Sequence, residues 1–391
     1  MENDKSFDDR GIYFKVIELF YMSSNKLFTD LVKTSIGTAD IAVFNPSPEE
    51  WETLYNEARR QSLLGICFAG VRRVRQYQLA QGLETIPVSL YLKWLGVASR
   101  IMQRNEKMSK QCLVVQKAFQ NAGFGSYILK GQGIETFYDA PLRGLRQSGD
   151  IDIWVIGEPN SILKYISRHH PLNHCDYMHT HFDFFKDTEV EVHYRPWISR
   201  NLFRNFRLQK LASKFLASDS ALVVDSGMVI PSKNFTVLHV LHHIYWHLLV
   251  EGVGLRQMLD LYFAVKSVDN QEELFKTVRW LGLGKFASAS MWVLGEVFGM
   301  KHECMLCEPS EKEGRFLLDE ILRAGNFGHY DKRIKHVENE SNVSLVVKWL
   351  IHSLRLFKHY PMDVLWNPIG IVWLSMKGKI IREKIIGSRV G

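Results

Sequence analysis

Apolar positions along the chain change their period twice. Up to about residue 122 they recur every three or four positions, as helices require. Between about 125 and 200 short runs alternate. From about Pro231 to near the end the helical spacing returns. The clearest helix start is NPSPEEWETLYNEARRQ. Ser47 can cap it, Pro48 suits its first position, and Glu50 can return a hydrogen bond to the cap. Trp51, Leu54, Tyr55 and Ala58 then share one face and should meet a core. A second long helix is predicted from about Ser89 to Ala122, with Gly123 ending it.

In the middle section, SYILKG (126–131) reads as a strand running into a glycine turn, and DIDIWVI (150–156) as a second strand. NSILKYISRHH reads as a helix capped by Asn160 or Ser161. HFDFFKD (181–187) and EVEVHYR (189–195) alternate and meet at Asp187-Thr188, which predicts a β-hairpin. The fold class is therefore α+β. A small mixed β-sheet core, residues 124–200, lies between an N-terminal helical region, 1–123, and a C-terminal helical region, 201–391.

Side chains two apart on a strand point the same way, so Asp150 and Asp152 share a face while Ile151 and Ile153 take the other. Two neighbouring carboxylates repel, and a cation relieves that repulsion. Oxygen ligands of this kind suit Mg²⁺, which commonly takes one or two carboxylates together with substrate phosphates. In EVEVHYR, Val190 and Val192 should face the core, leaving Glu191 and His193 on the other face. Glu191 can then supply a third carboxylate; Glu189, beside the turn, is the weaker candidate.

Four short patterns follow in order: Leu129-Lys130-Gly131, Tyr138 to Pro141, Arg146-x-x-Gly-Asp-Ile-Asp152, and Val190-Glu-Val-His193. Together they resemble the uncharacterised nucleotidyltransferases of the polymerase-beta-like superfamily, and GVGLRQMLDL (252–261) resembles that family's C-terminal helical part. The resemblance implies a nucleotidyltransferase core, with Asp150, Asp152 and Glu191 as catalytic and metal-binding residues for two Mg²⁺ ions. It implies transfer of a nucleoside monophosphate from an NTP to an unidentified hydroxyl acceptor, with release of pyrophosphate. The acceptor could be a small molecule, a sugar phosphate, a protein or an RNA end. Where the broader superfamily has Gly-Ser or Gly-Gly after the first strand, this chain has Lys130-Gly131-Gln132-Gly133. Phosphate would then rest on the N–H groups of Gly131 and Gly133 and on the Lys130 charge. Arg146 is either a further phosphate contact or a partner for the aspartates or Glu135; Arg143 is the weaker candidate.

In VLHVLHHIYWHLL (237–249), His239, His243 and His247 form one helical stripe. The expectation is a helix lining the cleft through His243 and His247, with Arg256 and Asp260 on the next helix. The competing reading is core histidines and an Arg256–Asp260 pair four residues apart. His174, Cys175, His179 and His181 match no standard zinc spacing, and Cys304-x-x-Cys307 lacks the second pair that a four-ligand site needs.

Composition narrows the remaining classes. A net charge of +7, spread over scattered basic residues, does not select a polyanionic partner, and no recognition helix or RNA-binding motif indicates nucleic acid. Five cysteines and a polar start, MENDKSFDDR, lead to the expectation of a cytoplasmic protein without a signal peptide or disulfide framework. The basic amphipathic end, IGIVWLSMKGKIIREKIIGSRVG, is either a helix packed on its own domain or a peripheral membrane contact. The alternative to an enzyme is a catalytically inactive nucleotide-binding or scaffold protein with the same fold.

Overall fold

A computed structural model describes residues 25–218, 221–331, 333 and 342–387. The polar N-terminal decapeptide and the last four residues of the basic end lie outside the described residues.

Among the described residues, four helices precede the sheet: α1 (residues 25–36), α2 (Pro48–Arg60), α3 (Leu64–Ala80) and α4 (Val88–Asn121). Helix α2 starts as its sequence requires. Ser47 caps Glu50 N–H, Glu50 returns a bond to Ser47 N–H at 2.7 Å, and Trp51, Leu54, Tyr55 and Ala58 are buried. Helix α4 closes at Ala122, and Gly123 takes the left-handed conformation that follows a helix end (φ +84°). Its first half buries Leu90, Trp94 and Ala98 in the larger hydrophobic cluster. Its second half buries Met108, Cys112, Val115 and Phe119 in the smaller one beneath the sheet.

The sheet segment runs β1 (Ser126–Ile128), α5 (Gln132–Glu135), β2 (Ile151–Val155), α6 (Pro159–His169), β3 (Leu172–Cys175), β4 (His179–Phe182) and β5 (Val190–His193). Spatial order is β1-β2-β5-β4-β3, with β2 and β5 parallel and the other neighbours antiparallel. Ile151, Ile153, Val155, Val190 and Val192 bury one face against α4 and α6. Each such side chain contributes about 1.5–3 kcal/mol, so the alternation in β2 and β5 fixes which way their polar residues point.

Three details differ from the sequence reading. Helix α6 begins at Pro159 with Glu158 in the cap position and no side-chain cap, because proline pre-sets the first helical turn; Asn160 and Ser161 lie inside it. The hairpin forms, but β4 ends at Phe182 and β5 starts at Val190. Its loop is tied to α4 by Asp187 with Lys107 and by Thr188 Oγ1 donating to Gln111 Oε1 at 2.8 Å, so Asp187-Thr188 is not a tight turn. Strand β3 pairs with the outer side of β4 and was not foreseen.

Beyond the sheet come α7 (Leu202–Ala217), the small ladder β6 (Leu222–Val223) and β7 (Val229–Ile230), then α8 (Lys233–Val250), α9 (Leu255–Lys266), α10 (Gln271–Trp280), α11 (Gly284–Phe298), α12 (Glu311–Ala324), α13 (Asn342–Phe357) and α14 (Pro361–Gly387). Helix α14 packs on its own chain. Asp363 forms a buried ion pair with Arg204 and accepts the Tyr245 hydroxyl at 2.7 Å, and Trp373 meets Tyr177 edge-on. Met362, Leu365, Ile369, Val372 and Met376 remain exposed on it. No described helix is long and apolar enough to cross a membrane.

Candidate active site

The polar face of the sheet looks toward α8 and α9 across a cleft of about 340 Å³. Register explains why so many ionisable groups meet there. Asp152 on β2 lies opposite Glu191 on β5, Glu191 opposite His181 on β4, and His181 opposite His174 on β3. One row of potential ligands thus crosses four strands. A second row sets His193 opposite His179. On β2 and β5 they alternate with the apolar residues that hold the sheet to α4 and α6.

Asp152 is almost fully buried, at 2% exposure. Lys130 Nζ lies 2.6 Å from its Oδ1, and His193 Nε2 lies 3.0 Å from the same atom. His193 Nε2 also reaches Glu191 Oε2 at 3.4 Å. Donor atoms of Asp152, Glu191 and His193 all fall within 4.8 Å of one another. Asp150 precedes β2 and lines the same cleft, but it lies outside that group of three.

The charges are strongly interdependent. The Asp152 carboxylate, followed by burial, pushes the Asp150 carboxyl up to about 6. Burial opposes ionisation of Asp152 and Glu191, yet Lys130 and His193 outweigh it and hold both below the ordinary carboxylate range. Burial likewise opposes the charged form of His193, but its bonds to Asp152 and Glu191 raise it to about 9. Lys130 is held above its ordinary value against burial by Asp152, Glu191 and Asp150. This donor set fits a hard divalent cation: carboxylate oxygens converge in a partly dry cleft, and the repulsion borne by Asp150 is what a cation would relieve.

The glycine turn divides in two. Gly131 adopts φ +54°, and its missing Cβ faces the Asp150 carbonyl, so the backbone turns tightly beside the aspartates at the cleft edge. Gly133 does not join it. Its N–H goes to Lys130 O at 3.0 Å, and a Cβ there would come within 2.6 Å of Ile128 O. Gly133 is a packing glycine, which corrects its assignment to phosphate.

Arg146 and Arg256 both line the cleft, but among the described residues only Arg146 is paired with a carboxylate there. Arg146, 4% exposed, donates from Nε and Nη2 to both oxygens of Asp260 at 2.7 and 2.8 Å, and from Nη1 to Ser148 Oγ. Asp260 also accepts the Tyr138 hydroxyl at 2.7 Å. Glu135, the other partner considered for Arg146, accepts the Gly144 N–H instead. Arg143 donates to the carbonyls of Tyr138 and Thr136, away from the cleft. Arg256 lines the cleft, donates to Gln147 O at 3.1 Å and lies over the Phe327 ring. Its Nε is buried without a hydrogen-bond partner, and it makes no ion pair among the described residues. The Arg256–Asp260 pair of the competing reading does not form; Asp260 pairs with Arg146.

Helix α8 forms the opposite wall. His239 stacks between Phe235 and His243, and both its ring nitrogens are buried without partners. His243 Nε2 meets His247 Nε2 at 3.0 Å, and His247 Nδ1 pairs with Glu251. Burial, then the nearby Lys130, keeps His239 and His243 neutral, far below the ordinary imidazole value. His179, Trp246, Gln257 and Phe327 also line the cleft. Of these, His179 was the most legible, since hairpin alternation puts it on the His193 face.

Residues 47–299, more than half of the chain, match a family described as uncharacterised nucleotidyltransferase, and the protein belongs to that family. No curated protein and no solved structure matches the chain.

Proposed function

We propose that the protein transfers a nucleoside monophosphate from an NTP to a hydroxyl acceptor, releasing pyrophosphate. The observation that carries this reading is the placement of Asp150, Asp152 and Glu191 around one cleft of about 340 Å³, a volume in the range of small-molecule sites. Asp152 and Glu191, with Asp150 beside them, would hold Mg²⁺, which when bound neutralises phosphate charge and lowers the pKa of a coordinated hydroxyl. Lys130 and the backbone at Gly131 face the same space and would steady phosphate oxygens. Arg256 supports the reading further. A guanidinium facing a cleft without a carboxylate partner is suited to a phosphate, whereas Arg146 is already paired. Glu191 would orient the attacking hydroxyl and draw its proton. Catalysis would come from positioning and charge stabilisation.

The test is calorimetric titration of ATP, CTP, GTP and UTP in Mg²⁺, on wild type and on Asp150→Asn/Asp152→Asn. Saturable binding of one NTP that needs both the metal and the aspartates is expected. Absence of binding by any NTP to folded protein would reject the transferase reading in favour of a scaffold with the same fold.

A further inference from the structure

We propose that His179, His181 and Glu191 form a second divalent-cation site, nitrogen-rich and suited to Zn²⁺, that shares Glu191 with the oxygen-rich site at the aspartates. It rests on the transferase reading only for that shared carboxylate; the cation's binding can be measured without nucleotide.

His179 Nε2 and His181 Nε2 face each other at 2.9 Å, and His181 Nε2 lies 3.4 Å from Glu191 Oε1. The three donor atoms lie within 4.8 Å of one another. Glu191 uses its two oxygens in different directions: Oε1 toward His181, and Oε2 toward His193. A carboxylate so placed can bridge two cations. Two imidazole lone pairs at 2.9 Å repel unless a proton or a metal ion lies between them.

What stands behind the His181 ring favours the metal. His181 Nδ1 is 2.5 Å from Glu189 Oε1. His179 Nδ1 makes no hydrogen bond among the described residues; the nearest carboxylate, Asp176 Oδ1, accepts the backbone N–H groups of Met178 and His179 at 2.6 and 2.9 Å and lies 3.6 Å away. A carboxylate behind a ligating histidine holds the proton on the far nitrogen and aims the other lone pair at the ion. Two histidines and one carboxylate select borderline d-block ions over Mg²⁺, and three protein ligands leave a coordination position open. The rigid part of the site is a β-hairpin whose register sets His181 directly opposite Glu191.

The experiment is a titration with Co²⁺, a visible-absorbing stand-in for Zn²⁺, on the full chain without nucleotide, followed by displacement with Zn²⁺. One equivalent of Co²⁺ should give d–d bands that Zn²⁺ abolishes. His179→Gln and His181→Gln should remove them. Glu189→Gln, at a half-exposed position that does not threaten folding, should weaken binding about 10- to 100-fold, the usual effect of losing such a backing carboxylate. Asp150→Asn should leave the Co²⁺ titration intact while Mg²⁺-dependent NTP binding falls. Failure of NTP binding with these bands retained would reject the transferase reading alone. No bands from folded wild type would mean a shared proton and overturn the site. Bands lost in Asp150→Asn but kept in His181→Gln and Glu189→Gln would place the ion at the aspartates and overturn it as well.

Discussion

Replacing Asp260 by asparagine separates a structural from a phosphate-binding role for Arg146. The carboxylate receives two N–H groups of Arg146 and the Tyr138 hydroxyl, and the side chains of the pair are 4% and 7% exposed. Asparagine keeps the shape and one acceptor oxygen but leaves the guanidinium buried without a counter-charge. Breaking a buried pair in this way costs about 3–5 kcal/mol, a large share of the roughly 5–15 kcal/mol that a folded protein has. At a urea slope of about 3 kcal/mol per molar, the midpoint should fall by about 1–1.7 M. Asp260→Leu/Arg146→Met removes both charges and should recover most of the loss, since well-packed apolar replacements of buried pairs are often close to neutral. The assay is urea unfolding followed by far-UV circular dichroism, with NTP titration on the same samples. A midpoint unchanged in Asp260→Asn, together with NTP affinity reduced tenfold in Arg146→Met, would refute the reasoning and make Arg146 a phosphate ligand.

Other outcomes follow from the same geometry. Arg256→Met should lower NTP affinity about tenfold or more, the size of a charged hydrogen bond, without lowering the thermal midpoint; a stability loss with unchanged affinity would contradict this. Asp152→Asn should reduce transfer at least about 100-fold once an acceptor is known, as losses of electrostatic stabilisers do; full activity would exclude Asp152 from the mechanism. Gly133→Ala should cost about 1–3 kcal/mol by forcing a Cβ against Ile128 O at 2.6 Å, readable by thermal unfolding. Burial, then Arg204, lowers His242 from 6.5 to about 3, so between those values the unfolded chain binds the proton that the folded one excludes. Its contribution to stability is complete above about pH 6.5 and falls away toward pH 3; His242→Gln should flatten that part of the pH–stability profile, and identical slopes would contradict it.

What could be read in advance divides by distance along the chain. The capping box of α2 and the alternation in β2 and β5 involve neighbours two or three residues apart, and both stand in the fold. So do the shared faces of Asp152 with Glu191 and of Glu191 with His193, because the buried isoleucines and valines leave no other orientation. Arg146 could not be paired from sequence, as its partner is 114 residues away and belongs to another helix. Nor could Gly133, since its role depends on the Ile128 carbonyl folding back over it. The histidines of β4 were visible only as a spacing that fitted no metal pattern. Their meeting with Glu191 is a cross-strand event, created by register and not by interval.

That register also makes the site intolerant of insertions and deletions. In β5, Val190-Glu191-Val192-His193 alternates strictly between oily and polar faces. One residue gained or lost inside those four positions would turn Glu191 and His193 toward α4 and aim the valines at the cleft. The longer connection from Phe182 to Val190 has slack to absorb a change in length. A length-variant library across 183–193 should therefore keep its functional members in the loop and lose them abruptly at Val190, a boundary drawn by the two-residue period of the strand alone.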